Sequence, residues 1–380
     1  MDDARATLKV RHQEFSGWLL DAAYPLWSTQ GVDPAGGYFE RLGQDGRPLP
    51  DKRRSRVTPR QAYCFAMGPS LGWRGDAEGL VQHGLEFWYA KFQRDDGLFR
   101  TLINADGSIA DDRAITYDQA FGLLAFSLGA TLGDWRAVRE REALELLQTV
   151  VKLTKRPTGG FENGVPTSLP LESNPHMHLF EATLAGAEVC SECSLWQPLA
   201  DEIAEFALAH FFDGNGILHE FFDTDWKFAP GIAGRIVEPG HQFEWAWLLL
   251  RWAGDKHPKA RAAALRMIDV TEARGVKEGL ALQQVLDDFS PHDGSARLWP
   301  QTERLKAAAL AARITGDAKY FAMAASATDA LKRYLSTPIP GLWYDRIDVN
   351  GHIVDEPAPA STFYHLVVAV AELSALARSF

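Results

Sequence analysis

The sequence has few cysteines, which excludes two classes of stabilising site. It contains three, Cys64, Cys190 and Cys193, in 380 residues. So small and odd a number cannot form a disulfide framework, which favours a reducing compartment. Cys190 and Cys193 form an isolated C-x-x-C, whereas a structural zinc site needs four ligands. We therefore interpret these cysteines as ordinary packed thiols.

Long hydrophobic runs and an excess of positive charge are also missing. No apolar stretch approaches the roughly 20 residues of a membrane span, and the acidic N-terminus has no signal-peptide pattern. The formal net charge is −11, with 50 acidic against 39 basic residues, which argues against a nucleic-acid partner. We expect a cytoplasmic monomer or homodimer without nucleic-acid or membrane partners.

Aromatic residues are abundant, and a glycine-led unit recurs six times. The 12 Trp and 21 Phe residues suit a pocket for a sugar or another flat-faced ligand. The units recur at roughly 60 residues, a regular array. They begin at Gly37-Tyr38, Gly97-Leu98, Gly160-Phe161, Gly216-Ile217, Gly279-Leu280 and Gly341-Leu342. Turn residues at 104–108 and 348–352 predict hairpins after two of these glycines.

Each unit also predicts a pair of helices. Some twenty residues after each glycine, a polar residue opens a helix that is apolar on nearly every side, which indicates complete burial. Residues 136–153 and 200–212 are amphipathic at helical spacing and belong outside. Six such pairs predict an all-α fold, a closed (α/α)₆ barrel with short hairpin-like loops at one rim. An open solenoid is the alternative. We expect residues 1–380 to form one catalytic domain with its pocket at the mouth.

Histidines stand at equivalent places at three of the six buried helix starts. They are His178, His241 and His365. A lone histidine there is usually structural, but three that converge on one cavity favour proton transfer near neutral pH. Glu244 lies three residues after His241, on the same helix face, where it could orient the imidazole. Nothing completes a metal coordination shell, so we predict no metal.

Five segments together resemble the N-acylglucosamine 2-epimerase superfamily, in order and over essentially the whole chain. They are Arg60-Gln61, Asn174-Pro175-His176-Met177-His178, His241-Gln242-Phe243-Glu244-Trp245, Trp299-Pro300-Gln301-Thr302-Glu303 and Tyr364-His365. The second and third are the most specific. The family comprises sugar epimerases and aldose–ketose isomerases built as (α/α)₆ barrels.

The resemblance implies a role for each candidate residue. His241 and His365 would be the acid/base pair, and Glu244 would support His241. Arg60 and His178 would hold and polarise the O1/O2 region of the sugar. Further residues would line the pocket: Tyr117, Asn174, Trp299, Gln301 and Glu303. Removing a proton next to a carbonyl leaves an enediolate, whose charge needs a fixed cation, and this chemistry requires no cofactor.

The residues around His365 bear on the outcome of the reaction. Return of the proton to C2 from the opposite face inverts C2, whereas return to C1 gives a ketose. Epimerase branches tend to carry a proline before the aromatic-His pair and an arginine soon after it, but here Phe363 precedes the pair and valines follow. The flanks are thus more similar to mannose isomerase-type members.

We therefore expect interconversion of an aldose and a ketose, most simply D-mannose and D-fructose. The alternatives are C2 epimerisation of a free or N-acylated sugar and isomerisation of a phosphorylated hexose. A glycoside hydrolase would use paired carboxylates, whereas the acids here are scattered. A non-enzymatic sugar-binding protein would leave the three histidines without a task.

A basic loop, residues 52–56, precedes Arg60 and has two interpretations. It carries Lys52, Arg53, Arg54 and Arg56. A solvated loop is the simpler interpretation, and a phosphate or sulfonate site is the functional one, because arginine forks match such oxyanions. No glycine-rich phosphate-binding loop accompanies it.

Overall fold

The computed structural model describes residues 2–190 and 194–380, so Cys193 lies outside the described residues. Within them, thirteen α-helices form the body of the molecule. They are α1 (Asp2–Trp18), α2 (Tyr24–Trp27), α3 (Val57–Leu71), α4 (Ala77–Phe92), α5 (Thr116–Gly129), α6 (Arg136–Thr154), α7 (Ser173–Val189), α8 (Trp196–His210), α9 (Pro239–Ala253), α10 (Pro258–Arg274), α11 (Leu298–Thr315), α12 (Ala318–Leu335) and α13 (Ser361–Ala377). A short π-helix joins α1 to α2. None of these helices has the length and apolar character to cross a bilayer.

The helices form two concentric layers around one axis. The inner layer is α3, α5, α7, α9, α11 and α13, each packed against the next, and α13 packs against α3. That last contact closes the ring, so the predicted (α/α)₆ barrel is confirmed over the open solenoid. Helices α4, α6, α8, α10 and α12 pack outside α3, α5, α7, α9 and α11, and α1 covers α13.

The pattern of hydrophobic residues explains which layer each helix joins. In α9 every residue from Pro239 to Leu250 is buried, as its apolar sequence predicts. The outer helix α6 buries only one stripe, which includes Leu146 and Val150. Helix α8 begins at Trp196 rather than at 200, and the Trp196 indole packs closely over Gly186 of α7.

Short antiparallel strands at one rim connect neighbouring units. They are β1 (Arg41–Leu42), β2 (Arg53–Arg54), β3 (Leu102–Ile103), β4 (Ile109–Asp111), β5 (Ala114–Ile115), β6 (Gly164–Val165), β7 (Leu171–Glu172), β8 (Phe221–Phe222), β9 (Ile236–Val237), β10 (Val276–Lys277), β11 (Leu280–Ala281), β12 (Gln284–Leu286), β13 (Pro291–Asp293), β14 (Ala296–Arg297), β15 (Arg346–Ile347) and β16 (Ala358–Pro359). Strand β1 pairs with β16 and so ties the first unit to the last. Both predicted hairpins are confirmed, since Ile103 pairs with Ile109 and Ile347 bridges to Ile353.

The glycine of each unit turns the chain from an outer helix into the rim. All six repeat glycines have φ between 70° (Gly37) and 96° (Gly341). Side chains with a Cβ rarely adopt this left-handed backbone. The glycine repeat in the sequence is therefore a repeat of one turn conformation.

A hydrogen bond from each of four inner helices holds the adjoining rim loop in place. The side chain near the helix start bonds to the main chain just after the repeat glycine. The pairs are Gln119 with Phe99, His176 with Phe161, Gln242 with Leu218 and Gln301 with Ala281. The Gln301 amide accepts from the Ala281 N–H and donates to its carbonyl oxygen, each at 2.8 Å. We call these four side chains the rim clamps.

Aromatic stacking fastens the N-terminal segment to the sixth unit. The Trp27 and Trp343 rings stack with their centroids 4.7 Å apart, and the Trp27 indole N–H donates to the Gly341 carbonyl at 3.1 Å. Trp27 is completely buried. This contact supports the closure of the ring that the β1–β16 pair begins.

We predict that Trp27→Ala lowers the free energy of unfolding by about 3–5 kcal/mol, the usual cost of removing a buried aromatic side chain. Urea titration followed by tryptophan fluorescence and circular dichroism measures it. The control is Val349→Ala, because Val349 is 69% exposed, and it should change stability by less than about 0.5 kcal/mol. An unchanged midpoint for Trp27→Ala would contradict the closing role.

Candidate active site

A cavity of about 480 Å³ opens at the rim where the inner helices begin. Eight of the ten candidate site residues line it: Arg60, Tyr117, Asn174, His178, His241, Glu244, Trp299 and His365. The two remaining candidates, Gln301 and Glu303, do not. The Trp299 ring lies close to two histidines, with centroids 5.1 Å from His241 and 5.8 Å from His365.

His241 is surrounded by carboxylates that keep it protonated. Its Nδ1 donates to Oε2 of Glu220 at 2.9 Å, and Oε2 of Glu238 lies 3.6 Å away. Burial lowers the pKa of His241, but Glu220 and Glu238 outweigh it and raise the pKa to about 10. The side chain is therefore an imidazolium at neutral pH.

The partner of His241 differs from the one expected. Glu244 was predicted to support it from the next helical turn. Glu220 on the rim occupies the Nδ1 position, and Glu244 acts without a hydrogen bond, as a smaller electrostatic contribution that also raises the pKa of His241. The carboxyl of Glu244 belongs to a layer one turn deeper, where its Oε1 lies 3.8 Å from Nζ of Lys306. Burial and the neighbouring Glu303 raise the pKa of Glu244 to about 8.

His365, in contrast, is a neutral imidazole. Its Nδ1 lies 2.8 Å from Oε1 of Glu303. Burial, together with the cations Arg60 and Lys306, lowers the pKa of His365 well below 6.5. Since a carboxylate accepts the bond at Nδ1, the neutral imidazole carries its lone pair on Nε2. This is the tautomer that a general base needs.

His178 is the third histidine of the cavity, and burial keeps it neutral. Its Nδ1 lies 3.3 Å from Oε2 of Glu181, and burial lowers its pKa to about 3 despite that carboxylate. Tyr364 donates a hydrogen bond to the other oxygen of Glu181. His178 is therefore neutral and can accept a hydrogen bond through Nε2.

Arg60 is a cation with a fixed direction. Its Nη2 donates to the Tyr117 hydroxyl at 2.5 Å, and its Nη1 donates to the Ser361 carbonyl at 3.2 Å. The guanidinium carbon lies 3.9 Å from the centre of the Phe121 ring. Because this side chain is almost fully buried, its charge acts on the cavity with little screening.

Gln301 and Glu303 contribute behind the cavity wall, contrary to the expectation that they line it. Gln301 is a rim clamp, so its amide faces the main chain of Ala281. Glu303 is fully buried between His365 and Lys306, whose Nζ lies 2.5 Å from its Oε2. Burial raises the pKa of Glu303, and the Lys306 ammonium opposes that rise.

Two clusters of potential metal ligands lie in this deeper layer. They are His178 with Glu181 and Glu244, and Glu244 with Glu303 and His365, the ligand atoms of each within 4.8 Å of one another. Lys306 places an ammonium 2.5 Å from Glu303 and 3.8 Å from Glu244. A fixed cation thus stands where a metal ion would neutralise the acids, which supports the prediction of a site without metal.

The arginines of the basic loop take two different positions: some line the cavity, and one makes structural contacts outside it. Arg53 points away from the cavity, pairs with Asp33 and donates to the Gly36 carbonyl at 2.8 Å. Arg54 and Arg56 line the cavity. The simple picture of a solvated loop is therefore wrong for those three arginines.

Sequence reasoning missed three residues that matter to this geometry: Glu220, Lys306 and Arg113. Glu220 stands four residues after its repeat glycine, the same offset as Thr101 and Asp345. Each of these three bonds to a side chain at or near the start of an inner helix. The offset within the repeat is a signal that could have identified Glu220.

Comparisons with known proteins identify the family of this chain. The family described as N-acylglucosamine 2-epimerase (GlcNAc 2-epimerase) matches residues 37–369. A Rhizobium meliloti (strain 1021) protein named mannose-6-phosphate isomerase is 46% identical over 370 residues, covering 95% of this chain and 96% of that protein. A Thermobifida fusca protein named D-mannose isomerase is 27% identical over 337 residues, covering 82% and 81%.

A solved structure shows the same fold. The crystal structure of a D-mannose isomerase has a TM-score of 0.87 at 20% identity, covering 95% of this chain and 97% of that one. The family match spans most of the chain, from the first repeat glycine into α13, and includes the histidines, Arg60 and Trp299. This chain therefore belongs to the N-acylglucosamine 2-epimerase family and is an enzyme of the sugar isomerase and epimerase class.

Proposed function

We propose that the protein is an aldose–ketose isomerase that interconverts D-mannose and D-fructose through an enediolate, without a cofactor. One observation carries the proposal: two histidines in different protonation states, His241 protonated and His365 neutral, line one cavity. Transfer of a proton away from carbon and back needs a base and an acid at the same time.

The first step falls to His365. Its Nε2 takes the proton from C2 of the open-chain aldose, and the electrons of the broken C–H bond form the enediolate. Negative charge then develops on O1, where the fixed guanidinium of Arg60 stabilises it. His178 accepts a hydrogen bond from the O2 hydroxyl, while Tyr117, Asn174 and Trp299 hold the sugar. These last three are lining residues.

The second step decides the product. The imidazolium of His241 supplies a proton; delivery to C1, with transfer of the O2 proton to O1, completes the ketose. Delivery to C2 from the opposite face would give the C2 epimer, which remains the alternative reaction. The residues after His365 and the likeness to the D-mannose isomerase of Thermobifida fusca favour the ketose.

A phosphorylated hexose is the second candidate substrate. The relative from Rhizobium meliloti carries the name mannose-6-phosphate isomerase. In addition, five arginines line the cavity: Arg54, Arg56, Arg60, Arg113 and Arg297. A neutral hexose does not need so many guanidinium groups.

We also propose that the enzyme acts in the cytoplasm as a monomer or homodimer on a small sugar. The low cysteine content supports the cytoplasmic location, because a reducing compartment keeps thiols free.

NMR in D₂O of the enzyme with D-mannose, and separately with D-mannose 6-phosphate, tests the reaction. We expect the ketose to form with deuterium at C1. Appearance of the glucose epimer with deuterium at C2 would replace the isomerase by the epimerase. No change in either sugar would overturn both.

We predict that His241→Asn and His365→Asn each lower kcat by about 10²–10⁴, because each removes one proton-transfer group. Steady-state kinetics measures this, with circular dichroism to confirm folding. The matched control is His257→Asn, since His257 lies outside the cavity at the start of α10. Near-parent turnover in either variant would remove that histidine from the mechanism.

The pH dependence of kcat/KM should reflect the two histidines. Activity should fall on the acidic side only well below pH 6.5, as His365 gains a proton, and on the alkaline side near pH 10, as His241 loses one. Glu220→Gln removes the carboxylate at Nδ1, lowers the pKa of His241 and should move the alkaline limb to lower pH. Glu202→Gln on α8, a partner of Lys155, is the control. An unmoved limb would separate Glu220 from the acid.

Treatment with EDTA should leave kcat unchanged, because Lys306 supplies the positive charge among the buried acids. The measurement is activity before and after overnight chelation and gel filtration. Loss of activity that Zn²⁺ or Mn²⁺ restores would contradict the enediolate mechanism and indicate a metal-assisted hydride shift.

A further inference from the structure

Charge is distributed unevenly around the mouth of the cavity. The acids that line it, Glu172, Glu238 and Glu244, all lie at the starts of α7 and α9. Four of its five arginines belong instead to the first two units: Arg54, Arg56, Arg60 and Arg113. The cavity therefore has an acidic side and a guanidinium side.

Arg54 is held in place and still has hydrogen-bond donors to offer. Its main-chain N–H and Nε donate to the two oxygens of buried Glu40, at 2.6 and 2.8 Å. Among the described residues, neither Nη1 nor Nη2 of Arg54 has a hydrogen-bond partner. The side chain is 36% exposed and lines the cavity. These two nitrogens form a preset fork for an oxyanion.

Arg113 follows the last strand of the small sheet that contains Arg54. In the sheet of β2, β3 and β4, Arg54 pairs with Leu102 and Leu102 pairs with Asp111. Directly paired residues project to one face of a sheet, so Arg54 and Asp111 share a face. Asp111 accepts from Nη2 of Arg113 at 2.6 Å, which brings that guanidinium to the same part of the rim.

Arg56 completes the group from a deeper level. Its Nη1 donates to Oδ1 of Asp118 at 3.0 Å, and its guanidinium carbon lies 5.0 Å from the centre of the Tyr117 ring. Tyr117 also binds Arg60. A series of cations thus runs from the reaction centre at Arg60 to the mouth at Arg54 and Arg113.

The position of this group above the reaction centre fits the far end of a sugar. Arg60, which would bind O1, lies in the first turn of α3, and Arg54 and Arg56 precede that turn on the rim. All three arginines line the cavity. With C1 and C2 at Arg60 and the histidines, C6 therefore points outward, toward Arg54 and Arg56.

We propose that Arg54, Arg56 and Arg113 form a subsite for the phosphate group of a hexose 6-phosphate. The subsite rests on the proposed isomerase function and favours its second candidate substrate, the phosphorylated hexose, over free mannose. Guanidinium forks match phosphate oxygens in geometry and charge. Because this contact is the same in the ground state and the transition state, it should act on KM more than on kcat.

The test is steady-state kinetics on mannose and on mannose 6-phosphate with Arg113→Ala and Arg54→Gln. Arg113 is 59% exposed, so its variant should fold normally, and Glu40 keeps the main-chain bond in Arg54→Gln. Each variant should raise KM for the phosphate ester about tenfold to a hundredfold, change kcat less than about threefold and leave mannose kinetics unchanged. The control is Arg47→Ala, an 85% exposed arginine outside the cavity lining.

The outcomes separate the subsite from the reaction. A parent enzyme that isomerises mannose but neither converts nor binds mannose 6-phosphate would overturn the subsite and leave the isomerase. Equal effects on both sugars, or none on the ester, would also overturn the subsite. If neither sugar reacts, calorimetry with mannitol 6-phosphate decides: binding weakened by both variants supports the subsite, and absence of binding overturns it.

Discussion

The bonds of the rim clamps to the rim main chain are the constraint on which the site depends. Inner helices alone would give a barrel with an open mouth, because nothing in their apolar packing specifies the course of the connecting loops. Gln119, Gln242 and Gln301 each satisfy a buried N–H and C=O of the rim. Unpaired buried amides are costly, so each loop has one favourable position over its helix. Glu220 reaches His241 only because its loop is placed in this way.

The different protonation states of His241 and His365 come from the charged groups around each ring. Both rings are buried, and burial alone would make each neutral. Around His241 the carboxylates of Glu220 and Glu238 exceed that effect. Around His365 the carboxylate of Glu303 is largely offset by Lys306, and Arg60 adds further positive charge. One buried lysine therefore helps to separate a base from an acid in the same cavity.

The sequence was sufficient for the barrel, and eight of the ten candidate site residues line the cavity. The glycine period and the two kinds of helix specify the ring, since each unit can bury its apolar face only against its neighbours. The positions of side chains around the first helical turn were harder to infer. Gln301 and His241 both stand in the first turn of an inner helix, yet one faces the rim main chain and the other the cavity. Periodicity gives a helix face, but it does not give the loop atom that a side chain meets there.

Contacts between side chains of the rim were beyond the reach of local patterns. The Arg54–Glu40 pair lies within the first unit and the Arg56–Asp118 pair joins the first unit to the second, and no spacing rule predicts either. The basic loop could therefore be interpreted as solvated, although two of its arginines line the cavity and Arg53 pairs with Asp33. In the same way, nothing in the local sequence indicates that Lys306 is buried beside Glu244 and Glu303.

Within one helical turn, the residue that holds the rim loop is distinct from the residue that faces the cavity. Gln242 holds the rim loop, while its neighbour His241 lines the cavity, and in the second unit Gln119 stands beside Asp118, which binds Arg56 of the cavity wall. In these two units the side chain beside the clamp can therefore change while the loop above it stays fixed. Such a scaffold can acquire a new reaction through substitutions at two kinds of position: beside the clamps, and four residues after each repeat glycine. The barrel itself can stay unchanged.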